Sequence, residues 1–279
     1  MLQFRWGSAV ERTTGGASVK VTFLGSGGAF TDYRVNYQNN ALVEVNGMRL
    51  LVDCGVTACQ SMRELGVHPS LIDTVVFTHL HADHASPEQL CWERMYTGPT
   101  GQPAGLRTRL AGPTDLMGPL MAGLEPYMGI WRDLSGRTRD DGVTAVIERV
   151  DGPRLERGPF DVRWFRVPHV DGDGFSKAAF GLDVRASGRR LLWSGDTTFS
   201  PKWIREAAED PDVNLIFHEC SFSAPFRGTV HTHYSELMSL PIELRRKIVL
   251  MHHTEVPDAQ DPVEDGFMGA ARRHDVFNV

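Results

Sequence analysis

The sequence lacks any apolar stretch long enough to cross a bilayer, and it lacks a block of lysine and arginine. A membrane-spanning helix needs about 20 consecutive, predominantly apolar residues. The formal net charge is -6, and basic residues do not interleave with aromatic ones as they do on nucleic-acid-binding surfaces. We therefore expect no membrane span and no extended nucleic-acid surface, whereas a small anionic substrate is compatible with this composition.

Cysteine is also scarce, and its spacing does not match a zinc finger. The four cysteines are Cys54, Cys59, Cys91 and Cys220. We expect them to be buried, reduced thiols. The first 20 residues lack the apolar core and the small-residue cleavage site of a secretory signal. These features together predict a cytoplasmic protein.

What the chain does contain is a series of apolar runs with strand and helix periodicity. Strands are predicted at residues 19–24, 40–45, 48–52, 72–77, 107–111, 143–150, 160–167, 178–184, 191–193, 213–217 and 247–251. Helices are predicted at residues 57–65, 87–96, 113–128, 201–208, 235–240 and 261–272. Residues 1–18 are expected to be a flexible lead-in, and residues 19–279 a single domain. Strand-rich halves alternating with helices predict an α/β protein with helices outside two packed sheets.

Histidines and an aspartate follow the predicted buried strand at residues 72–77. The segment reads Thr78-His79-Leu80-His81-Ala82-Asp83-His84. Imidazole nitrogens and carboxylate oxygens are ligands that divalent metals such as zinc prefer. His79 and His81 alternate, so both can point to one side of an extended loop, whereas Asp83 and His84 turn towards a second position. The segment therefore predicts two half-sites for metal ions, each completed from elsewhere in the chain.

Further histidines and acids stand where other predicted strands end. They are Asp53, His169, Asp196, His218 and His252. Such residues converge only if their strands share sheets, and this regularity predicts a single site. Asp53 is predicted either to orient a metal-bound histidine or to open a turn.

Two segments allow more than one interpretation. Gly25-Ser26-Gly27-Gly28 has the wrong spacing for a dinucleotide fingerprint, and no helical pattern follows it. It is either a loop whose backbone approaches the site closely or simply a tight turn. The methionine-rich helix at 113–128 is either part of the core or the face of a homodimer.

The order of these motifs resembles that of the metallo-β-lactamase superfamily over most of the chain. Residues 24–27 and 51–55 are similar to its first motif, and residues 79–84 are similar to its second. The resemblance implies an αββα four-layer sandwich, the metallo-β-lactamase fold, with two metal ions at one edge. Residues 19–279 are thus expected to form a metallo-hydrolase domain.

The same resemblance implies the roles of individual side chains. One ion is expected to bind His79, His81 and His169, the other is expected to bind Asp83, His84 and His252, and Asp196 is expected to bridge them. The adjacent His253 competes with His252 for the last motif, and the family's spacing favours His252.

The second half of the chain resembles the ribonuclease Z-like phosphodiesterases. Residues 194–197 followed by residues 217–222 are similar to motifs of that branch, which implies catalytic roles for His218 and Glu219. His231 is expected to donate a proton to the leaving oxygen, with His233 as the alternative.

Two departures from true ribonuclease Z enzymes favour a small substrate. The Gly/Pro segment 97–105 is short and has no basic cluster, and residues 171–174 form an extra loop. Compact cyclic-nucleotide phosphodiesterases of this branch, including those that phages use against cyclic-nucleotide immune signalling, have a similar motif order.

The leading hypothesis is therefore phosphodiester hydrolysis by a metal-bridging hydroxide, which Asp83 would help to bind and orient. The expected cofactors are two divalent ions, zinc first and manganese or iron as alternatives. The other hypotheses are hydrolysis of a carbon ester (a lactone, thioester or β-lactam) and a non-catalytic zinc-binding protein. The expected binding partner is a small anionic substrate.

Overall fold

The computed structural model describes residues 18–102, 105–129, 131–132, 138–139, 142–172, 175–223, 230–253 and 256–279. The predicted lead-in lies outside the described residues except for Ser18. Parts of the loop at 97–105 and of the extra loop at 171–174 also lie outside them.

The strands are β1 Lys20–Gly25, β2 Asn40–Val45, β3 Met48–Val52, β4 Thr74–Val76, β5 Thr108–Gly112, β6 Trp131–Arg132, β7 Thr138–Arg139, β8 Ile147–Asp151, β9 Arg154–Arg157, β10 Phe160–Arg166, β11 Asp171–Gly172, β12 Phe175–Ser176, β13 Phe180–Ala186, β14 Arg189–Trp193, β15 Leu215–Glu219, β16 Ile248–Met251, β17 Gly269–Ala270 and β18 Val276–Asn278. The α-helices are α1 Ala58–Glu64, α2 Glu88–Tyr96, α3 Thr114–Met128, α4 Pro201–Glu209, α5 Tyr234–Met238 and α6 Ile242–Arg245. Short 3-10 turns lie at Pro69–Leu71 and Val143–Ala145.

Two mixed sheets dominate the described part of the chain. The first has the order β18-β1-β2-β3-β4-β5-β8, and the second has the order β17-β16-β15-β14-β13-β10-β9. Strands β3, β4, β5 and β8 run parallel, as do β14, β15, β16 and β17. Antiparallel partners give β1 the direction of β3, and they give β10 the direction of β14. Within each sheet, these strands therefore end at the same edge.

The sheets pack face to face through aromatic side chains. The ring of Phe23 lies 5.5 Å from that of Trp193 and 5.4 Å from that of Phe217, measured between centroids. Alternate residues of the second sheet face outwards, where Ile216 packs in a separate apolar cluster with Ile204 of α4. Helices α1, α2 and α3 contact strands of the first sheet. The α/β prediction is confirmed, and the architecture is the predicted αββα sandwich.

The β2–β3 hairpin follows directly from its turn residues. Asn46 and Gly47 both adopt positive φ, at 51° and 79°. A type I′ turn needs positive φ at both central positions, and Asn-Gly is the pair that best tolerates this. The predicted hairpin is confirmed with the predicted strand bounds.

The predicted helix at residues 261–272 is wrong. The side chain of Asp261 accepts hydrogen bonds from the backbone of Val263 and Glu264, which closes a turn instead of a helix. Gly266 has a φ of 91°, and the Met268 backbone then pairs with Ile248 beside β16. Strands β9 and β18 were not predicted, because short edge strands carry little periodicity.

The methionine-rich stripe of α3 belongs to the core. Its buried members are Leu116, Met117, Leu120, Met121, Leu124 and Met128. They pack in the main apolar cluster of this chain. The stripe is therefore not a surface on which a second copy docks.

Candidate metal centre

The common edge of the two sheets gathers the predicted ligands. Asp53 follows β3, and the segment of residues 78–84 follows β4. Asp196 and His252 follow β14 and β16 of the second sheet. Because parallel strands that share a direction end together, residues far apart in sequence meet here. Three overlapping groups have their ligand atoms within 4.8 Å of one another.

The first group, which we call the histidine-rich half-site, contains His79, His81, His169 and Asp196. His79 Nε2 lies 3.0 Å from His81 Nδ1, and His169 Nε2 lies 3.4 Å from the same atom. Asp196 Oδ2 lies 3.6 Å from His79 Nε2. His81 is the member that solvent reaches, while the others are buried.

The second group, the carboxylate-rich half-site, contains Asp83, His84 and His252. Asp83 Oδ2 lies 3.2 Å from His84 Nε2 and 3.3 Å from His252 Nε2. Asp196 reaches this group too, with Oδ1 3.5 Å from His84 Nε2 and Oδ2 3.4 Å from His252 Nε2. Asp196 is thus the residue that the two half-sites share.

The Nδ1 atoms of His79 and His84 face hydrogen-bond acceptors, which orients these imidazoles. His84 Nδ1 donates to Asp53 Oδ2 at 2.8 Å, which confirms the orienting contact predicted for Asp53. Thr78 Oγ1 donates to the same carboxylate at 2.7 Å and lies 3.1 Å from His79 Nδ1. No sequence pattern indicated that Thr78 has this orienting role, although Thr78 directly precedes the first histidine. Such contacts fix the tautomer that leaves Nε2 available to a metal.

His169 is oriented differently, by the main chain. Its Nδ1 donates to the carbonyl oxygen of Val230 at 3.0 Å. No sequence motif identifies this partner, because any residue type supplies a carbonyl. The contact joins the loop that carries His169 to the segment that carries His231.

The cluster fits divalent metal ions. His84 Nε2 and Asp196 Oδ1 are buried and, within the described part of the chain, have no hydrogen-bond partner. Ligands about 2.0–2.1 Å from a tetrahedral zinc ion lie about 3.3 Å apart. The neighbouring ligand atoms lie 3.0–3.6 Å apart. In the histidine-rich half-site, unprotonated ring nitrogens that face one another at this spacing repel, and a cation between them would stabilise the arrangement.

Burial favours the neutral form of the three imidazoles in the histidine-rich half-site. It lowers the pKa of His79, His81 and His169 below the ordinary value for histidine. The neighbouring imidazoles lower the pKa of His79 and His81 further. A neutral imidazole is the form that binds a metal.

The carboxylate-rich half-site has the opposite electrostatics. Burial alone lowers the pKa of His84 and His252, but the charge of Asp196 and Asp83 outweighs it. The pKa of His84 is therefore raised, and that of His252 is raised to about 10. The same negative field favours a divalent cation held between these side chains.

Glu219 and His231 form a pair beside the shared aspartate. Glu219 is fully buried, whereas the His231 side chain is 32% exposed, and the two are joined at 2.6 Å through His231 Nδ1. The backbone N–H of Thr197 donates to the other oxygen of Glu219. Burial lowers the pKa of His231, but Glu219 and then Asp196 raise it above its ordinary value. These carboxylates thus favour the protonated form of the imidazole at the open side of the cluster.

His218 is not brought to this cluster. It precedes Glu219 in β15, so its side chain faces the helix side of the sheet, where its ring centroid lies 5.8 Å from that of Trp203. Its Nδ1 donates to the Glu219 carbonyl at 2.7 Å. Strand alternation therefore separates the two residues that the sequence predicted to act together.

The two pairs of competing histidines are also separated. His253 turns away from the cluster, with its ring 5.5 Å from that of Phe222, whereas His252 joins the ligand groups. His233 caps α5, where its Nδ1 accepts the backbone N–H of Ser235 at 3.2 Å. Only His231 of its pair contacts Glu219.

The backbone at the site is held in a demanding conformation. Asp53 and His252 both have positive φ, at 56° and 54°. Such values are uncommon outside glycine and cluster at functional sites. A Cβ on Gly28 would lie 3.4 Å from His252 Cε1, so the glycine turn approaches the site closely.

No helix in the described ranges is long and apolar enough to cross a membrane.

Comparisons with known proteins agree with this site. The family model of Anti-Pycsar protein Apyc1 matches residues 19–277. The Anti-Pycsar protein Apyc1 of Paenibacillus sp. (strain J14) is 29% identical over 272 residues, covering 94% of this chain and 100% of that protein. That of Saccharibacillus brassicae is 30% identical over 246 residues, covering 85% of this chain and 90% of that protein.

Solved structures share the fold at low identity. The metallo-β-lactamase fold protein YhfI from Bacillus subtilis has a TM-score of 0.69 at 18% identity, covering 94% of this chain and 100% of that chain. The short form of human tRNase Z has a TM-score of 0.62 at 18% identity, covering 92% and 98%. The predicted metallo-β-lactamase fold and the predicted metal-dependent hydrolase are confirmed. Since the family model spans nearly the whole chain, the protein belongs to the Anti-Pycsar protein Apyc1 family.

Proposed function

We propose that this protein is a phosphodiesterase that hydrolyses a small phosphodiester, and specifically a cyclic nucleotide. The observation that carries the proposal is the contact between Glu219 and His231 at the open side of the cluster. Cleavage of a phosphodiester expels an alkoxide, which leaves more easily when a general acid protonates it. The relatives reported above are named Anti-Pycsar proteins, and the compact phosphodiesterases that this chain resembles in motif order act on cyclic nucleotides.

The chain's own residues suit two divalent ions, which we propose to be zinc. His79, His81 and His169 would hold one ion, Asp83, His84 and His252 would hold the other, and Asp196 would bind both. When bound, such ions supply Lewis acidity and lower the pKa of a coordinated water towards neutrality. Histidine and carboxylate together are ligands that zinc accepts.

Within this arrangement, two side chains act on protons and on the nucleophile. Asp83 carries an oxygen between His84 and His252 and is proposed to orient the attacking water as well as bind metal. His231 is proposed to protonate the leaving oxygen. Glu219 accepts the hydrogen bond from His231 Nδ1, which directs Nε2 away from Glu219 and leaves it to face the substrate.

The first experiment compares classes of substrate. Metal-loaded protein is assayed with bis(p-nitrophenyl) phosphate, then with a panel of cyclic nucleotides, and in parallel with a lactone, a thioester and a β-lactam. We expect hydrolysis of the phosphodiesters, with the best kcat/KM for a cyclic nucleotide. A fully metal-loaded protein that hydrolyses only a carbon ester, or nothing, would contradict the proposal.

A matched pair of histidine variants tests the proton donor. His231→Ala is expected to lower kcat about 10²–10⁴-fold, the range for loss of a general acid, with metal content unchanged. His233→Ala removes a helix cap, so it is expected to cost about 0.5–2 kcal/mol of stability and leave kcat near wild type. Loss of metal from His231→Ala would instead make His231 a ligand.

The predicted homodimer and cytoplasmic location stay predictions.

A further inference from the structure

The loop between β1 and β2 is held in a defined conformation by its own hydrogen bonds. The backbone N–H of Gly27 donates to the Tyr37 carbonyl at 2.8 Å, and that of Asn39 donates to the Gly27 carbonyl at 2.8 Å. The side chain of Gln38 donates to the Tyr33 hydroxyl at 3.0 Å. Contacts of this kind order the loop before a ligand binds, so that binding costs less conformational entropy.

This loop passes beside the metal centre. A Cβ on Gly28 would lie within 3.4–3.9 Å of three atoms of the His252 imidazole. Phe30 lies two residues further along, so its Cα is at most about 7.6 Å from that of Gly28. The backbone of Phe30 therefore lies near the rim of the site.

The loop exposes apolar side chains to solvent. Phe30 is fully exposed at 101%, and Val35 and Tyr33 are exposed at 53% and 46%. A single exposed apolar residue on a protein surface needs no explanation. Three within six residues, on an ordered loop that touches a metal-binding histidine, indicate a surface that a ligand covers.

The charges of the loop do not favour the phosphate as its ligand. Arg34 is paired with Asp32 of the same loop at 2.6 Å. The Arg34 guanidinium also accounts for a lowered pKa at Asp32 through their hydrogen bond. With this cation neutralised within the loop, its distinguishing chemistry is aromatic and apolar.

We infer that Phe30 stacks on the nucleobase of the substrate, an inference that rests on the proposed function. A cyclic nucleotide whose phosphate lies at the metal centre extends its ribose and base beyond the ligand cluster. Every base offers a flat π-face, and stacking on an aromatic side chain is tolerant of base identity. Phe30 thus supplies affinity for nucleotides over other phosphodiesters without reading a particular base.

The test uses the same reaction with and without a base. For a cyclic nucleotide, Phe30→Ala is expected to raise KM about 5- to 150-fold, as loss of one base stack predicts, with kcat little changed. For 3′,5′-cyclic ribose phosphate, which lacks a base, it is expected to leave KM unchanged. Phe30→Trp is expected to restore the wild-type KM.

Tyr127 provides the matched control. It is an aromatic residue exposed at 72% on the outer helix α3, and Tyr127→Ala is expected to leave both KM values unchanged. An equal change in KM for both substrates in Phe30→Ala, or no change for the nucleotide, would overturn the inference. So would loss of a dimer in Phe30→Ala by sedimentation, because Phe30 would then contact a second copy.

Equilibrium binding separates this inference from the proposed function. A nucleoside 5′-monophosphate and ribose 5-phosphate are titrated calorimetrically into metal-loaded wild-type and Phe30→Ala protein. Tighter binding of the nucleotide that depends on Phe30 supports stacking even if no phosphodiester is hydrolysed. Equal binding of both ligands by the wild type overturns stacking even if hydrolysis is observed.

Discussion

The two half-sites of the metal centre differ in charge although they share Asp196. The histidine-rich half-site contributes three imidazoles, His79, His81 and His169, whereas the carboxylate-rich half-site adds Asp83 to two histidines. The difference continues outside the ligands. His79 and His169 face a hydroxyl and a main-chain carbonyl, whereas the second half-site is oriented by carboxylates.

Those outer carboxylates are Asp53, which binds His84, and Glu219, whose Oε2 lies 3.6 Å from His252 Nδ1. A charged acceptor makes a stronger hydrogen bond than a neutral one and raises the basicity of the imidazole. The two ions would therefore be held by different means. One depends on neutral, buried imidazoles, and the other depends on a concentrated negative field.

Removing the shared residue should have the largest effect, because both half-sites lose a ligand. Asp196→Ala takes a carboxylate from both half-sites, and loss of metal-ion stabilisation worth several kcal/mol corresponds to at least about 10³-fold in kcat/KM. Metal content by elemental analysis and activity on a phosphodiester measure both consequences. Retention of two ions with full activity would show that Asp196 does not bridge.

Removing an outer carboxylate should separate the half-sites. Asp53→Asn is expected to weaken metal binding at the carboxylate-rich half-site about 10- to 100-fold, leaving the other half-site occupied. Thr78→Val removes the neutral hydroxyl beside His79 and should cost only about 2- to 10-fold, the value of one hydrogen bond. Metal titration against a competing chelator measures both variants. Equal losses of metal affinity in the two variants would show that the half-sites do not differ in this way.

The glycines that touch the two metal-binding segments are expected to affect the stability of the fold, and one of them hardly at all. A Cβ on Gly55 would collide with the backbone of Asp83, so Gly55→Ala should lower the free energy of unfolding by about 1–3 kcal/mol. A Cβ on Gly28 would meet His252 at an ordinary contact distance, so Gly28→Ala should change it by less than about 0.5 kcal/mol. Urea denaturation of metal-free protein measures both. A larger loss for Gly28→Ala would reverse this order.

Local signals in the sequence were sufficient for much of the fold. Asn46-Gly47 predicted the β2–β3 hairpin because the turn depends only on its own residues. The apolar run before residues 78–84 predicted that the motif follows a strand. The helix predicted at 261–272 failed because the side chain of Asp261 and the backbone of Gly266 form local turns, and the segment then pairs with β16.

The sequence by itself determined which residue types are available to bind metal and that they follow strands. Only the tertiary structure decided which member of each adjacent pair faces the site. Glu219 rather than His218 lies beside the cluster, and His252 rather than His253 joins it. For Glu219 and His218 the physical reason is that neighbouring residues of a strand point to opposite faces of a sheet. His252 follows the end of β16 with a φ of 54°, so there a local change of backbone direction separates it from His253. Which face meets the other sheet is set by packing across the whole sandwich, and no short segment encodes it.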